Sequence, residues 1–176
     1  MKAKIYWIVL FLSTIISYSC STDSEIDHWD EFEISKTRWK SFKQSNNNSY
    51  KYIVTAESWT GTAWITTITV KDGEISKRHF KYTSPEGTID YVPEEDREWT
   101  ETFNEINTHA TAPAADAITL DEVYLRAERD WLINRKNTTT FFKAENNGLI
   151  SYCGYVEDDC KDDCFIGIKI ESISPI

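Results

Sequence analysis

The side chains best suited to chemistry crowd into one stretch near the C-terminus, Asn146 to Ile170, which reads NNGLISYCGYVEDDCKDDCFIGIKI and holds three of the four cysteines. Cys153, Cys160 and Cys164 are spaced C-x6-C-x3-C. Zinc sites are built from paired C-x2-C or Cys/His elements, and no histidine lies near in sequence, so disulfide bonding is the better expectation for these thiols. Three thiols leave one over, and spacing does not say which. Joining Cys153 to Cys164 would stabilise by about 3 kcal/mol on the chain-entropy account, and the shorter pairings by less. The spare thiol is either buried and inert or links two chains. Between the thiols, Glu157, Asp158, Asp159, Asp162 and Asp163 stand against Lys161 alone. Carboxylates clustered in a loop are the oxygen ligands that Ca2+ requires. The stretch lacks the D-x-[DN]-x-[DN]-G pattern and the glutamate at position 12 of an EF-hand loop, so a solvated acidic tip competes with the calcium reading.

Elsewhere the chemistry is sparse. Of the three histidines, His28 stands at a helix start and His79 on a strand, where solvated roles suffice. His109, in a loop before a capped helix, is the one candidate for a ligand or catalytic role. The chain has no G-x-S-x-G, H-E-x-x-H, G-x-x-x-x-G-K-[ST] or G-x-G-x-x-G, and its six glycines read as isolated turn or strand residues. Two carboxylates at glycosidase spacing would arise by chance among twenty-nine acids, so they carry no information. The expectation is a protein without catalysis, and without a cofactor unless the acidic loop takes Ca2+. Its aromatic residues could form a sugar-stacking face, although aromatics at strand and helix periods are more often core.

The first residues give an address. Lys2 and Lys4 precede an apolar run, Ile5 to Leu12, and small polar residues lead to Cys20, the layout of an export signal too short to span a bilayer. Cys20 followed by Ser-Thr-Asp-Ser-Glu resembles a bacterial lipoprotein signal, which implies cleavage after residue 19 and acylation of the Cys20 sulfur. Ordinary cleavage after Ser17-Tyr18-Ser19 is the alternative. Export would admit the disulfide. Losing the two leader lysines takes the net charge from −10 to −12, which disfavours nucleic acid and anionic lipid head groups, so membrane attachment must come from the acyl chain. Residues 20–27 read as the acylated cysteine and a tether, and residues 28–176 as one domain.

The elements that must position these groups follow from periodicity. Trp29, Phe32, Trp39 and Phe42 predict an amphipathic helix from Asp27 to Gln44. Tyr50 to Trp59, Ala63 to Lys71 and Glu74 to Thr83 predict a three-stranded meander, its second turn at Asp72-Gly73. Residues 94–107 fit helix and strand equally. Thr119-Leu120-Asp121-Glu122 fits a capping box, opening a helix to about Asn134. Thr138 to Glu145, Leu149 to Val156 and Cys164 to Glu171 predict three more strands, the last alternating cleanly. The fold expected is α+β: one antiparallel sheet of about five to six strands, with an N-terminal helix and a helix at about 119–134 packed on it.

The run Gly148-Leu149-Ile150-Ser151-x-Cys153-Gly154-Tyr155-Val156, then Cys160-x-Asp162-Asp163-Cys164-Phe165-x-Gly167-Ile168, preceded by Trp99-x-Glu101, His109, the capping box and Trp131-Leu132, resembles a family of small Bacteroidota lipoproteins of unknown function. The resemblance implies a lipid-anchored α+β domain and brings no activity or site residue with it. The functional expectation is therefore an envelope protein anchored to the outer membrane, on its periplasmic or surface side, that binds an unknown protein or glycan or serves a structural role. An inhibitor-like protein, or a calcium-dependent module using the 157–163 loop, is the alternative.

Overall fold

The computed structural model describes residues 26–85, 87–109, 113–162 and 164–176. The expected leader, Cys20, most of the tether and the candidate calcium ligand Asp163 lie outside them. Helix α1 (Trp29–Ser45) carries acids in its first turn and Lys43 in its last, matching the helix dipole, and buries Phe32, Ser35 and Trp39 on one stripe. It stops where Asn47 and Asn48 take positive φ. Strands β1 (Tyr50–Glu57), β2 (Ala63–Lys71) and β3 (Glu74–Tyr82) form the meander, and Asp72 and Gly73 have φ 51° and 87° as a type I′ turn requires.

In residues 94–107 the alternating period prevails, and the helical spacing of Trp99, Phe103 and Ile106 is not used. A single turn, α2 (Glu94–Arg97), leads into β4 (Glu98–Thr102), which pairs with β3 and turns Trp99 and Glu101 inward. This strand raises the sheet to seven, above the expected five to six. The capping box forms as expected: Thr119 Oγ1 accepts from the Glu122 amide, and the Glu122 carboxylate accepts from the Thr119 amide at 2.7 Å. Helix α3 (Leu120–Arg126) then loosens into a π-helical turn, Ala127–Trp131, and ends short of Asn134. Strands β5 (Thr138–Lys143), β6 (Tyr152–Glu157) and β7 (Ile166–Pro175) complete one antiparallel sheet in the order β4-β3-β2-β1-β7-β6-β5. The architecture is thus the expected α+β.

One face of the sheet is covered. Alternate residues Tyr50, Tyr52 and Val54 of β1 and Ile168 and Ile170 of β7 meet Phe32 and Trp39 of α1 and Leu120, Val123 and Tyr124 of α3. Burying tyrosines is tolerable because each hydroxyl is used. The Tyr50 hydroxyl accepts from the Leu120 amide at 2.9 Å, Tyr52 donates to the Ile118 carbonyl at 2.5 Å, and Tyr124 accepts from the Ile150 amide at 3.2 Å. Burial raises all three phenols, that of Tyr124 to about 12.

The thiols are sorted by strand parity. Cys153 lies opposite Ile168 on the inward face of β6 and is fully buried, beyond reach of the loop, and desolvation pushes its thiol well above the ordinary value. The disulfide joins Cys160 to Cys164, with Cα atoms 6.0 Å apart. The costed Cys153–Cys164 pairing does not form, and Cys153 is the buried, inert thiol.

Candidate functional site

The sheet is not closed along its whole length. Strands β1 and β7 pair from Tyr50/Pro175 to Val54/Ile170, with a register shift at Ile53/Val54. Past that point Thr55 to Glu57 pair with β2 alone, and Ile166 to Lys169 with β6 alone. The divergence opens a cleft of about 650 Å³. Ala56, Ser58, Trp64 and Thr66 form one wall, Phe165 and Gly167 the other, and Pro113 and Ala115 the floor. A second hollow of about 750 Å³ adjoins it through the shared residues Thr55, Tyr152 and Lys169, and carries Lys143, Glu145 and Glu171.

The second wall is held by an aromatic ring seated on glycines. Gly154 and Gly167 are cross-strand partners, and a Cβ at either would lie 2.6 or 2.8 Å from Phe165 Cζ, closer than such contacts occur. Gly167, at φ 156°, also occupies a conformation that other residues rarely adopt. With the glycines in place, the Phe165 ring packs over the strand pair and stacks on Tyr152, centroids 4.5 Å apart and planes 10° apart. The Cys160–Cys164 bond anchors the chain immediately before Phe165. The CGYV and CFxGI runs thus encode a platform, a ring and the tie that places it.

The floor is held by a buried carboxylate. Glu101 on β4 is fully buried and accepts from the backbone amides of Asn107 and His109, both at 2.7 Å, and from Thr108 Oγ1 at 3.3 Å. Arg78, on the adjacent strand and 4% exposed, lies 3.3 Å from the same carboxylate. Its other nitrogens donate to the Ala115 and Ala114 carbonyls, at 2.9 and 3.2 Å, while Thr66 Oγ1 accepts from the Ala115 amide. Burial alone would raise the Glu101 carboxyl. The His109 and Asn107 amides, then the His109 ring and Arg78, outweigh it and hold the group at about 2. An ionised carboxylate therefore fixes the loop that underlies the cleft.

His109 belongs to this clamp. Its Nδ1 lies 3.1 Å from Glu101 Oε1, and its ring lies flat on Trp99, centroids 4.3 Å apart, with the Arg78 guanidinium 5.1 Å from the same indole. Among the described residues Glu101 is the only hydrogen-bond partner of this ring. The other histidines stand apart from the cleft: His28 Nε2 is 3.3 Å from the Thr140 carbonyl, and His79 Nε2 is 3.1 Å from Glu98. In the acidic loop, Asp158 accepts from Thr139 Oγ1 at 3.0 Å, and Glu157, Asp159 and Asp162 are exposed. Among the described residues no three His, Cys, Asp or Glu side chains converge on a metal-sized site.

The sequence thus pointed to His109 but not to its partner Glu101, and to the thiols but not to the cleft beside them. Trp64, Tyr152 and Phe165 passed as ordinary strand aromatics. The one signal that marked the second wall was a pair of glycines on strands expected to form a hairpin, with an aromatic residue beside one of them. Comparison of the chain with family models, with curated proteins and with solved structures returned no match.

Proposed function

We propose that this chain is an exported, lipid-anchored envelope protein that works as a non-catalytic binding module and holds its ligand in the cleft between β1 and β7. The observation that carries the reading is the cleft itself. The β1–β7 seam stops pairing at Val54/Ile170, and separate devices, the glycine-seated Phe165 and the Glu101–Arg78 clamp, fix the wall and the floor of the opening beyond it. Its lining combines aromatic surfaces (Trp64, Tyr152, Phe165), hydroxyls (Thr55, Ser58, Thr66) and one charge of each sign (Glu57, Lys169). Such a set orients a ligand through flat apolar contact and a few hydrogen bonds, which suits holding more than transforming it.

The address rests on the leader and Cys20, and on the likeness of the C-terminal motif to small envelope lipoproteins. The strongly negative charge assigns membrane attachment to the acyl chain alone. An oligosaccharide is one ligand class favoured by the lining, since stacked aromatics beside hydroxyls suit a sugar face. The test is binding of the purified protein to arrays of oligosaccharides and peptides. The expected result is a saturable ligand whose affinity falls at least tenfold in Trp64→Ala, and also in Lys169→Glu at an exposed position. Binding that neither variant alters, or turnover of a substrate abolished by His109→Ala, would contradict the reading.

A further inference from the structure

The register of the diverging strands shows what the cleft offers a ligand at main-chain level. The Ser58 amide donates to the Thr62 carbonyl at 2.8 Å, so Ser58, and by two-residue alternation Ala56 and Val54, direct their backbone groups toward β2. Thr55 and Glu57 must then turn theirs the other way, into the cleft. On the opposite wall the Ile170 amide donates to the Ser151 carbonyl at 2.7 Å, so Ile168 and Ile166 face β6, and Gly167 and Lys169 face the cleft. Up to Val54/Ile170 these inner edges bond to each other. That last pair, whose own groups face outward, is closed by the Thr55 amide donating to the Lys169 carbonyl; beyond it the Thr55 carbonyl, both Glu57 groups and Gly167 have no ladder partner across the cleft among the described residues.

Main-chain donors and acceptors on a partly covered edge require partners, and here they repeat every second residue at strand spacing. The ligand that meets such a row, donor to acceptor along its length, is another extended polypeptide. The side-chain lining has the same two-residue period. Trp64, Pro113 and Ala115 form an apolar slot on the covered side, while Thr55, Lys169 and its cross-strand partner Tyr152 lie toward the open face. A strand laid in the cleft would bury alternate side chains under Trp64 and present the others to water.

Building on the binding reading above, we propose that the ligand is an extended peptide segment of a partner protein. It pairs antiparallel along the β1 edge alone, with the Thr55 carbonyl and the Glu57 amide and carbonyl, and places an apolar β-branched side chain in the Trp64 slot at every second position.

The experiment screens the purified protein against an array of end-blocked heptapeptides and oligosaccharides, then scans the best heptapeptide with N-methyl groups, one amide at a time. Peptide binders should share β-branched residues at alternate positions, and N-methylation should alternate between at least tenfold loss and no effect. Amide hydrogen exchange at Glu57 should slow at least tenfold in the complex. Methylation tolerated everywhere, or equal loss at all positions without protection of the Glu57 amide, would overturn the proposal. An oligosaccharide that binds in a Trp64-dependent manner while no heptapeptide does would overturn the peptide assignment and leave the binding cleft standing. No Trp64-dependent ligand of either class would remove both.

Discussion

Replacing Glu101 with Gln preserves the shape of the side chain and removes the charge that the floor of the cleft is built around. Arg78, 4% exposed, then becomes a buried guanidinium without a counter-charge, and the amides of Asn107 and His109 compete for one neutral oxygen. Breaking a buried pair from one side costs about 3–5 kcal/mol. For a domain of this size each kcal/mol corresponds to a few degrees, so the unfolding midpoint should fall by roughly 6–20 °C. Thermal and urea unfolding measure it, and the double variant Arg78→Met, Glu101→Gln should recover much of the loss, because it removes the stranded charge together with its partner.

The pH dependence gives the sign independently. The folded carboxyl sits at about 2 against an ordinary 4.5, so its stabilisation is complete above about pH 4.5 and is lost as pH falls toward 2. With allowance for solvent near the exposed His109, the loss over that window is on the order of 1–3 kcal/mol. The Gln variant should be correspondingly flatter there. A destabilisation below about 1 kcal/mol, or an unchanged acid slope in the variant, would refute the reasoning.

The second wall should respond to volume. Gly154→Ala inserts a methyl group against Phe165 and the Ile166 carbonyl and should cost about 1–3 kcal/mol in urea unfolding, with Phe165→Ala relieving part of that cost in the double variant. Reducing the Cys160–Cys164 bond releases a short loop, so the protein should stay folded and lose about 2 kcal/mol, while Cys153 resists alkylation until the protein unfolds. The calcium reading of Glu157, Asp158, Asp159, Asp162 and Asp163 predicts a higher melting temperature in millimolar Ca2+ than after chelation, and an unchanged value removes it.

What the sequence made legible was local. The Asp72-Gly73 turn and the Thr119–Glu122 capping box are complete within four residues, and both formed as expected. Strand β4 was ambiguous because Trp99, Phe103 and Ile106 lie at helical spacing while Trp99 to Phe103 also alternates, and only the free edge of β3 decides between them. The disulfide was readable to the extent of its candidates. Its pairing followed from the parity of Cys153 with the inward face of β6, a consequence of hairpin register. The cleft depends on where β7 stops pairing with β1, two strands more than a hundred residues apart in sequence, and no window of sequence carries that register. Glu101 was one acid among twenty-nine until Arg78 and the Asn107–His109 backbone closed around it.

Backbone and indole chemical shifts followed while the best array ligand is titrated into the purified protein would localise binding residue by residue. The account predicts that the largest changes fall on the amides of Thr55, Glu57, Phe165 and Gly167 and on the Trp64 indole, and that they saturate together. Changes centred on the 157–162 loop or on the outer faces of α1 and α3, with these signals unmoved, would contradict it.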